Sequence, residues 1–504
     1  MKRMFLAGST ATLALVTASA GLADVTPEQV WANWQDTITA TGQSVSTTDV
    51  SRSGNRLVVS GLTLDQKSNN GSVALSIDEI DFTDAGDGTV TVTFSDSIPM
   101  LIKTLSPAGA LQAKPSDLKL ILTQPDLKLI ASGTPEAISY AITGPSLSLA
   151  LQALNGVDSA GVNLTMTATL TNMMANYLVE GSGAAKKIAS SFTADTMEVV
   201  ISSKDDEKQS SVDMTAQIEA LSGQSNGTLV DMADMAKAMS AGFAMNSTFD
   251  YGAAKFDATA TSQGKPSHVS GSSVAGGVTV AMDKTHLRYH LHDSGTAISF
   301  SSPDLPVPQV DVTYDELAFT LDIPTGKSDT PSDFAFLTKL VGFNVSESVW
   351  AMFDPTGALP HDGVTFVLDA KGKASLNTDL FAEMQQGAAG EAPKGELNAL
   401  DLTQLQLSFA GAELTGAGAL SFDNSDLETF SGVPLPTGKI DLKLTGANTL
   451  LDTIVEMGYV TAQDVMGYKM MMAMFTNSAP DKDELTSVLE FKDKGFYANG
   501  QRLQ

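Results

Sequence analysis

Unbroken period-two alternation constrains this chain more than any other feature of its sequence. In Ser211–Leu221, Val212, Met214, Ala216, Ile218 and Ala220 take one side, while Ser211, Asp213, Thr215, Gln217 and Glu219 take the other. Successive side chains of a β-strand point to opposite faces, so this run predicts a strand with one dry and one wet face. Comparable runs are read at 56–64, 72–82, 89–95, 117–123, 126–132, 136–143, 161–170, 192–202, 246–260, 278–291, 311–322, 363–369, 396–409, 411–422 and 438–445. Turn residues separate them: Asn69-Asn70-Gly71, Asp87-Gly88, Lys204-Asp205-Asp206 and Asp362-Gly363. Alternating strands with short turns predict antiparallel pairing, because buried parallel strands read as continuous apolar runs. The expected fold is α+β and predominantly β, with large curved antiparallel sheets and flanking helices.

Four segments break the alternation. Thr26, Pro27 and Gln29 predict a capped helix start, Trp31, Trp34 and Ile38 share one face of it, and Gly42 stops it. A second helix is read over Leu229–Met239, with Met232, Met235, Ala236 and Met239 on one side. A third spans 332–354, with Ser346 capping its second half and Asp354-Pro355 ending it. The fourth spans 447–475, broken at Gly458 and capped again near Thr461. Pro303, Pro306 and Pro308 predict an extended joint at 301–310. It divides the chain into two β-rich halves, 24–300 with the leading helix and 301–504 with the helices at 332–354 and 447–475.

The first 23 residues read as a removable secretory signal. Lys2 and Arg3 precede the short apolar stretch Phe5–Val16, and Gly21 and Ala23 supply the small side chains a signal peptidase requires. Ser9, Thr10, Thr12, Thr17 and Ser19 interrupt it too often for a membrane span, which needs about 20 apolar residues. The expected destination is the periplasm or the extracellular space, after cleavage near Ala23, with no transmembrane segment left in the mature chain. No cysteine occurs, so core burial and not disulfides must hold the fold. A formal net charge of −28 argues against a nucleic-acid partner and against adhesion to anionic lipid.

Four constellations invite a chemical reading. Gly223-Gln224-Ser225-Asn226-Gly227 matches the G-x-S-x-G elbow, whose Ser225 would need His268 or a histidine of 286–292 as its base. The strand before it alternates strictly, which contradicts a buried hydrolase strand. His286, His290 and His292 share a strand face with Arg288 and precede Asp293; a solvated face is the expectation over a metal site. Met466, Met470, Met471, Met472 and Met474 are read first as core filler, then as a soft lipid-facing wall, and last as a Cu(I) site. Asp81, Asp84 and Asp87 lack the ligand spacing of a calcium loop. No phosphate loop, dinucleotide fingerprint or zinc-protease motif is present. Accordingly no catalytic residue, metal ligand or cofactor is assigned.

The segment Ser346–Gly363 (SESVWAMFDPTGALPHDG) resembles a motif of a secreted alphaproteobacterial family classed only as a domain of unknown function. The opening Asp24–Trp31 and the close Tyr497–Leu503 are similar to the ends of those proteins, so the likeness spans nearly the whole mature chain. The resemblance carries no activity or catalytic residues to transfer. Within the motif, Trp350, Phe353 and Leu359 are expected to pin the turn Asp354–Gly357 onto the sheet. The leading functional expectation is a non-enzymatic envelope protein whose sheet cradles a lipid or another apolar ligand. A ligand-free periplasmic scaffold is the second reading, and a serine hydrolase using Ser225 the third.

Overall fold

The computed structural model describes residues 24–40, 43–68, 71–104, 116–155, 162–181, 186–230, 235–385, 395–479 and 482–504. Residues 1–23, read above as a secretory signal, and Gly42, Asn69, Asn70 and Met232 lie outside the described residues. The chain opens with α1 (Pro27–Ala40), where the expected capping box forms: Gln29 N donates to Thr26 Oγ1 at 3.3 Å and Thr26 N to Gln29 Oε1 at 2.8 Å. Short strands follow: β1 (Ser44–Ser46), β2 (Asp49–Ser53), β3 (Arg56–Ser68), β4 (Gly71–Asp84), β5 (Val90–Phe94), β6 (Ser97–Thr104), β7 (Ser116–Thr123) and β8 (Lys128–Thr134). Next come four long ones: β9 (Ala137–Asn155), β10 (Val162–Glu180), β11 (Lys186–Asp205) and β12 (Ser210–Leu229).

After α2 (Met235–Ser240), β13 (Met245–Tyr251) and β14 (Ala254–Ser262) together span β12, and β15 (Lys265–Ser273) and β16 (Ala275–Met282) return beside them. Then follow β17 (His286–Ser301), β18 (Val310–Pro324), β19 (Ser332–Val345), α3 (Glu347–Phe353) and β20 (Val364–Leu376). The rest comprises α4 (Leu380–Gln385), β21 (Gly395–Phe409), β22 (Ala412–Asp423), β23 (Leu435–Thr445), α5 (Ala447–Glu456), α6 (Ala462–Ala473), β24 (Asn477–Ala479), β25 (Glu484–Lys492), β26 (Gly495–Ala498) and β27 (Gln501–Arg502).

All strands join one antiparallel sheet, so the predominantly β fold with flanking helices is as expected. The strands on either side of the 301–310 stretch, β17 and β18, pair with each other from His286–Pro324 to Phe300–Val310.

Two helix assignments need correction. Residues 332–345 form β19, and only Glu347–Phe353 is helical. Phe334, Phe336 and Leu340 suit a strand face as well as a helix, and β18 and β20 supply hydrogen-bond partners on both sides. Leu229 ends β12 instead of opening a helix, and among the described residues the second helix covers Met235–Ser240. The strand read at 246–260 breaks between Tyr251 and Ala254, and that at 278–291 turns at 283–285 into β17.

The break at Gly252 belongs to a seam that crosses the sheet. Pairing is interrupted at one level through Gly61, Asp78, Pro145, Asn172, Asp195, Ala220, Gly252, Val274, Gly295, Asp315 and Gly342. Neighbouring strands each carry one extra residue there, so the register survives while the inward set changes parity. On β11 the shielded residues are Ile188, Ser190, Phe192 and Ala194 before the seam, then Met197, Val199 and Ile201 after it. On β12, Ala220 turns outward and Leu221 takes the buried place, contrary to the uninterrupted alternation expected. Such bulges bend strands and increase their twist.

The larger buried core sits at one end, and a smaller one gathers Val230, Ala238, Met239 and Phe243 around α2. α1 lays Val30 and Trp31 on Val59, Ile80, Phe82, Val90, Val92 and Ile138, all on strands β3 to β9. Trp34 stacks on Phe94 at 5.8 Å, and Tyr140 donates to Asn33 Oδ1 at 2.8 Å inside this core.

Candidate functional site

Directly opposed residues of antiparallel strands share a face, so the registers trace each row of side chains across the sheet. One row runs through Tyr140, Tyr177, Ser190, Ser225, Ser247, Val280, Tyr289, Leu321, Phe336, Ala370, Leu402, Gly418, Ile440 and Leu489. The next runs through Ile142, Ala175, Phe192, Gly223, Phe249, Val278, Leu291, Phe319, Thr338, Leu368, Leu405, Gly416, Leu442 and Ser487. Neither row carries a charge. Between β11 and β23 most of these side chains are half-exposed, neither buried as core nor fully open to water.

Both rows end in cavities under helices. At the N-terminal end α1 and the sheet enclose about 250 Å³ lined by Trp34, Ile38, Leu129, Tyr140, Ile142, Tyr177 and Val179. At the other end Met471, Met472 and Phe475 stand over Leu414, Leu442, Leu444, Leu485, Leu489 and Phe496, around about 450 Å³. The principal helix contacts fall near these ends: α1 packs on β1, β3 and β4, and α5 packs on β22 and α6.

The methionine patch overturns the core reading. Met466, Met470, Met471 and Met474 are 64%, 67%, 56% and 64% exposed, and only Val465 of α6 is buried. Tyr459 and Tyr468 are also over half exposed; Met471 borders the 450 Å³ cavity, whereas Met466 and Met470 line a groove with Asp452, Glu456 and Lys469.

Ser225 stands mid-strand, 2.7 Å from Ser247 Oγ, with β12 and β13 paired on both sides of it. Its row continues to Tyr289, so His290 and His292 point to the opposite face three strands, about 14 Å, away. His268 is engaged by Asp257 at 2.7 Å beyond the seam. The structure does not bring the residues of the hydrolase reading together.

On the outer face of β17, His290 and His292 stack at 5.6 Å, and Arg288 is bound by Asp322 at 2.5 Å. His286 lies 3.2 Å from the Asp333 carbonyl. Among the described residues no group of three or more His, Asp or Glu is placed to hold a metal ion. Asp81, Asp84 and Asp87 act separately: Asp81 pairs with Arg56, Asp84 caps Gly86 N at 2.8 Å, and Asp87 accepts from Thr89 N at 3.1 Å.

Sequence reasoning missed one group on the inward face. Asp293 accepts from Tyr251 at 2.8 Å, from Tyr314 at 2.8 Å and from Thr296. Burial pushes its carboxyl up, but the hydroxyls of Thr296, Tyr314, Tyr251 and Ser273 together outweigh that and hold it below the usual range. Burial raises the hydroxyls of Tyr251 and Tyr314. Parity counted from His286 alone would have placed Asp293 opposite the histidines. Its partners come from strands 21 and 42 residues away in sequence and are invisible there.

The Ser346–Gly363 segment closes the β19–β20 connection. Trp350 is buried, stacks on His361 at 4.2 Å and donates from Nε1 to Asn344 at 3.1 Å. Asp354, also buried, accepts from the backbone of Ala358 at 2.9 Å and Leu359 at 2.7 Å. His361 Nε2 lies 3.3 Å from the same carboxylate.

A family profile matches residues 246–500, from β13 almost to the end of the chain. The chain belongs to DUF2125. That family is described as an uncharacterized protein conserved in bacteria, and no curated protein or solved structure matches the chain. The DUF2125 stretch contains the 346–363 segment and Asp293 with its partners, whereas the resemblance read at Asp24–Trp31 lies outside it. No described helix is long and apolar enough to cross a membrane.

Proposed function

We propose that this DUF2125 member is an exported, non-enzymatic envelope protein whose inward sheet face cradles a lipid or another elongated apolar ligand. The observation that carries this reading is the pair of uncharged rows running from one helix-covered cavity to the other. Water-facing apolar surface is unfavourable by about 25 cal/mol per Å², so an uncovered face of this length is costly unless something occupies it. Ligand sites combine such apolar walls with a few fixed polar groups, and the α6 methionines add a soft, adaptable rim. The alternative is a scaffold without a ligand, favoured by the exposed Met466, Met470 and Met474, which would then meet a protein partner. Delipidated protein incubated with envelope lipid extract should retain lipid detectable by native mass spectrometry. A chain that stays clean under those conditions leaves only the scaffold. The intact mass of exported protein should correspond to a start at Asp24; retention of residues 1–23 would remove the export reading.

A further inference from the structure

We propose that Asp293, flanked by Tyr251 and Tyr314, is the position on the inward face that receives the cationic head of the ligand, an ammonium group carried on an apolar chain. The inference rests on the cradle reading and names the ligand class that reading leaves open. From β12 to β23, among the described residues and away from the strand ends, Asp293 is the one acidic or basic side chain on the inward face. Leu291 precedes it on that face and Leu317 stands opposite.

The three hydroxyls orient the carboxylate without neutralising it, and among the described residues no Lys, Arg or His forms an ion pair with it. A carboxylate offers about four acceptor positions; Tyr251, Tyr314 and Thr296 use three, and the neighbouring Ser273 hydroxyl is a further donor with which an arriving ammonium would compete. Holding strands together at the seam would need only a neutral acceptor. A fixed negative charge among leucines gains most from a cation, and tyrosine rings on either side suit an ammonium by cation–π attraction. An anionic head would be repelled.

The test uses the full mature chain with three chain-matched probes: dodecylammonium, dodecanol and dodecanoate, titrated by calorimetry below their critical micelle concentrations. Dodecylammonium should bind on the order of tenfold tighter than dodecanol, the effect of one charge-assisted contact. Asp293→Asn should abolish that preference while leaving dodecanol affinity unchanged. Asp257→Asn, on the outer face, removes the same charge and should preserve the preference, which separates a local site from the attraction of an acidic protein. Equal binding of dodecylammonium and dodecanol by the native chain overturns the inference whether or not Asp293→Asn folds, and so does a preference that survives Asp293→Asn. In either of those cases dodecanol binding keeps the cradle reading intact. Binding of none of the probes overturns both.

Discussion

Asp354 shows how one buried carboxylate can hold a connection. Burial raises its carboxyl, yet the amides of Leu359 and Ala358, His361 and Thr356 draw it down to about 2. A folded pKa below the ordinary 3.8 means the unfolded chain binds the proton more readily. The stability Asp354 confers is therefore complete above that ordinary value and is lost as pH falls from there toward about 2. Asp354→Asn should lower the urea midpoint at neutral pH and narrow the gap to the native chain across that acid window. A gap that stays constant down to pH 2 would contradict the assignment. Trp350 was legible as an anchor from its residue type, whereas Phe353, expected beside it as an anchor, is exposed, and the buried carboxylate of Asp354 was not foreseen. Nor was Asp293, since nothing local says that two tyrosines from other strands converge on it.

At the scale of the element, the seam decides how the strands present their faces. Gly295 and Gly342 sit at φ values of 61° and 66°, which glycine adopts without strain, and the neighbouring strand's Val274 and Asp315 lie where a β-carbon would stand. Gly342→Ala should cost about 1–2 kcal/mol from backbone strain alone, with further loss from displacing Asp315, measurable as a lower denaturation midpoint. An unchanged midpoint would mean that the seam tolerates ordinary backbone there. The same seam explains why runs read from the sequence stopped at 143 and 170, when β9 continues to Asn155 and β10 to Glu180. Alternation that changes parity resembles a strand that ends. Only the hydrogen-bonded neighbour reveals that the strand goes on.

Across the whole molecule, stability should be uneven. The larger buried core lies under α1 on β3 to β10, whereas β17 to β23 carry half-exposed apolar faces. Amide hydrogen exchange should therefore be slowest in β3, β4 and β9 and measurably faster in β18 to β22, and uniform protection would show that the sheet opens as one unit. The sequence by itself determined the antiparallel β character, the capped leading helix, the break between α5 and α6 and the absence of disulfides. Each follows from local periodicity, capping residues or composition. Tertiary structure alone decided that every strand joins one ladder, that 332–345 is a strand, that the α6 methionines face outward and that the inward rows meet a single carboxylate. These depend on which backbone groups find partners across long sequence separations, and period-two patterns are equally satisfied by many pairings until the register is chosen.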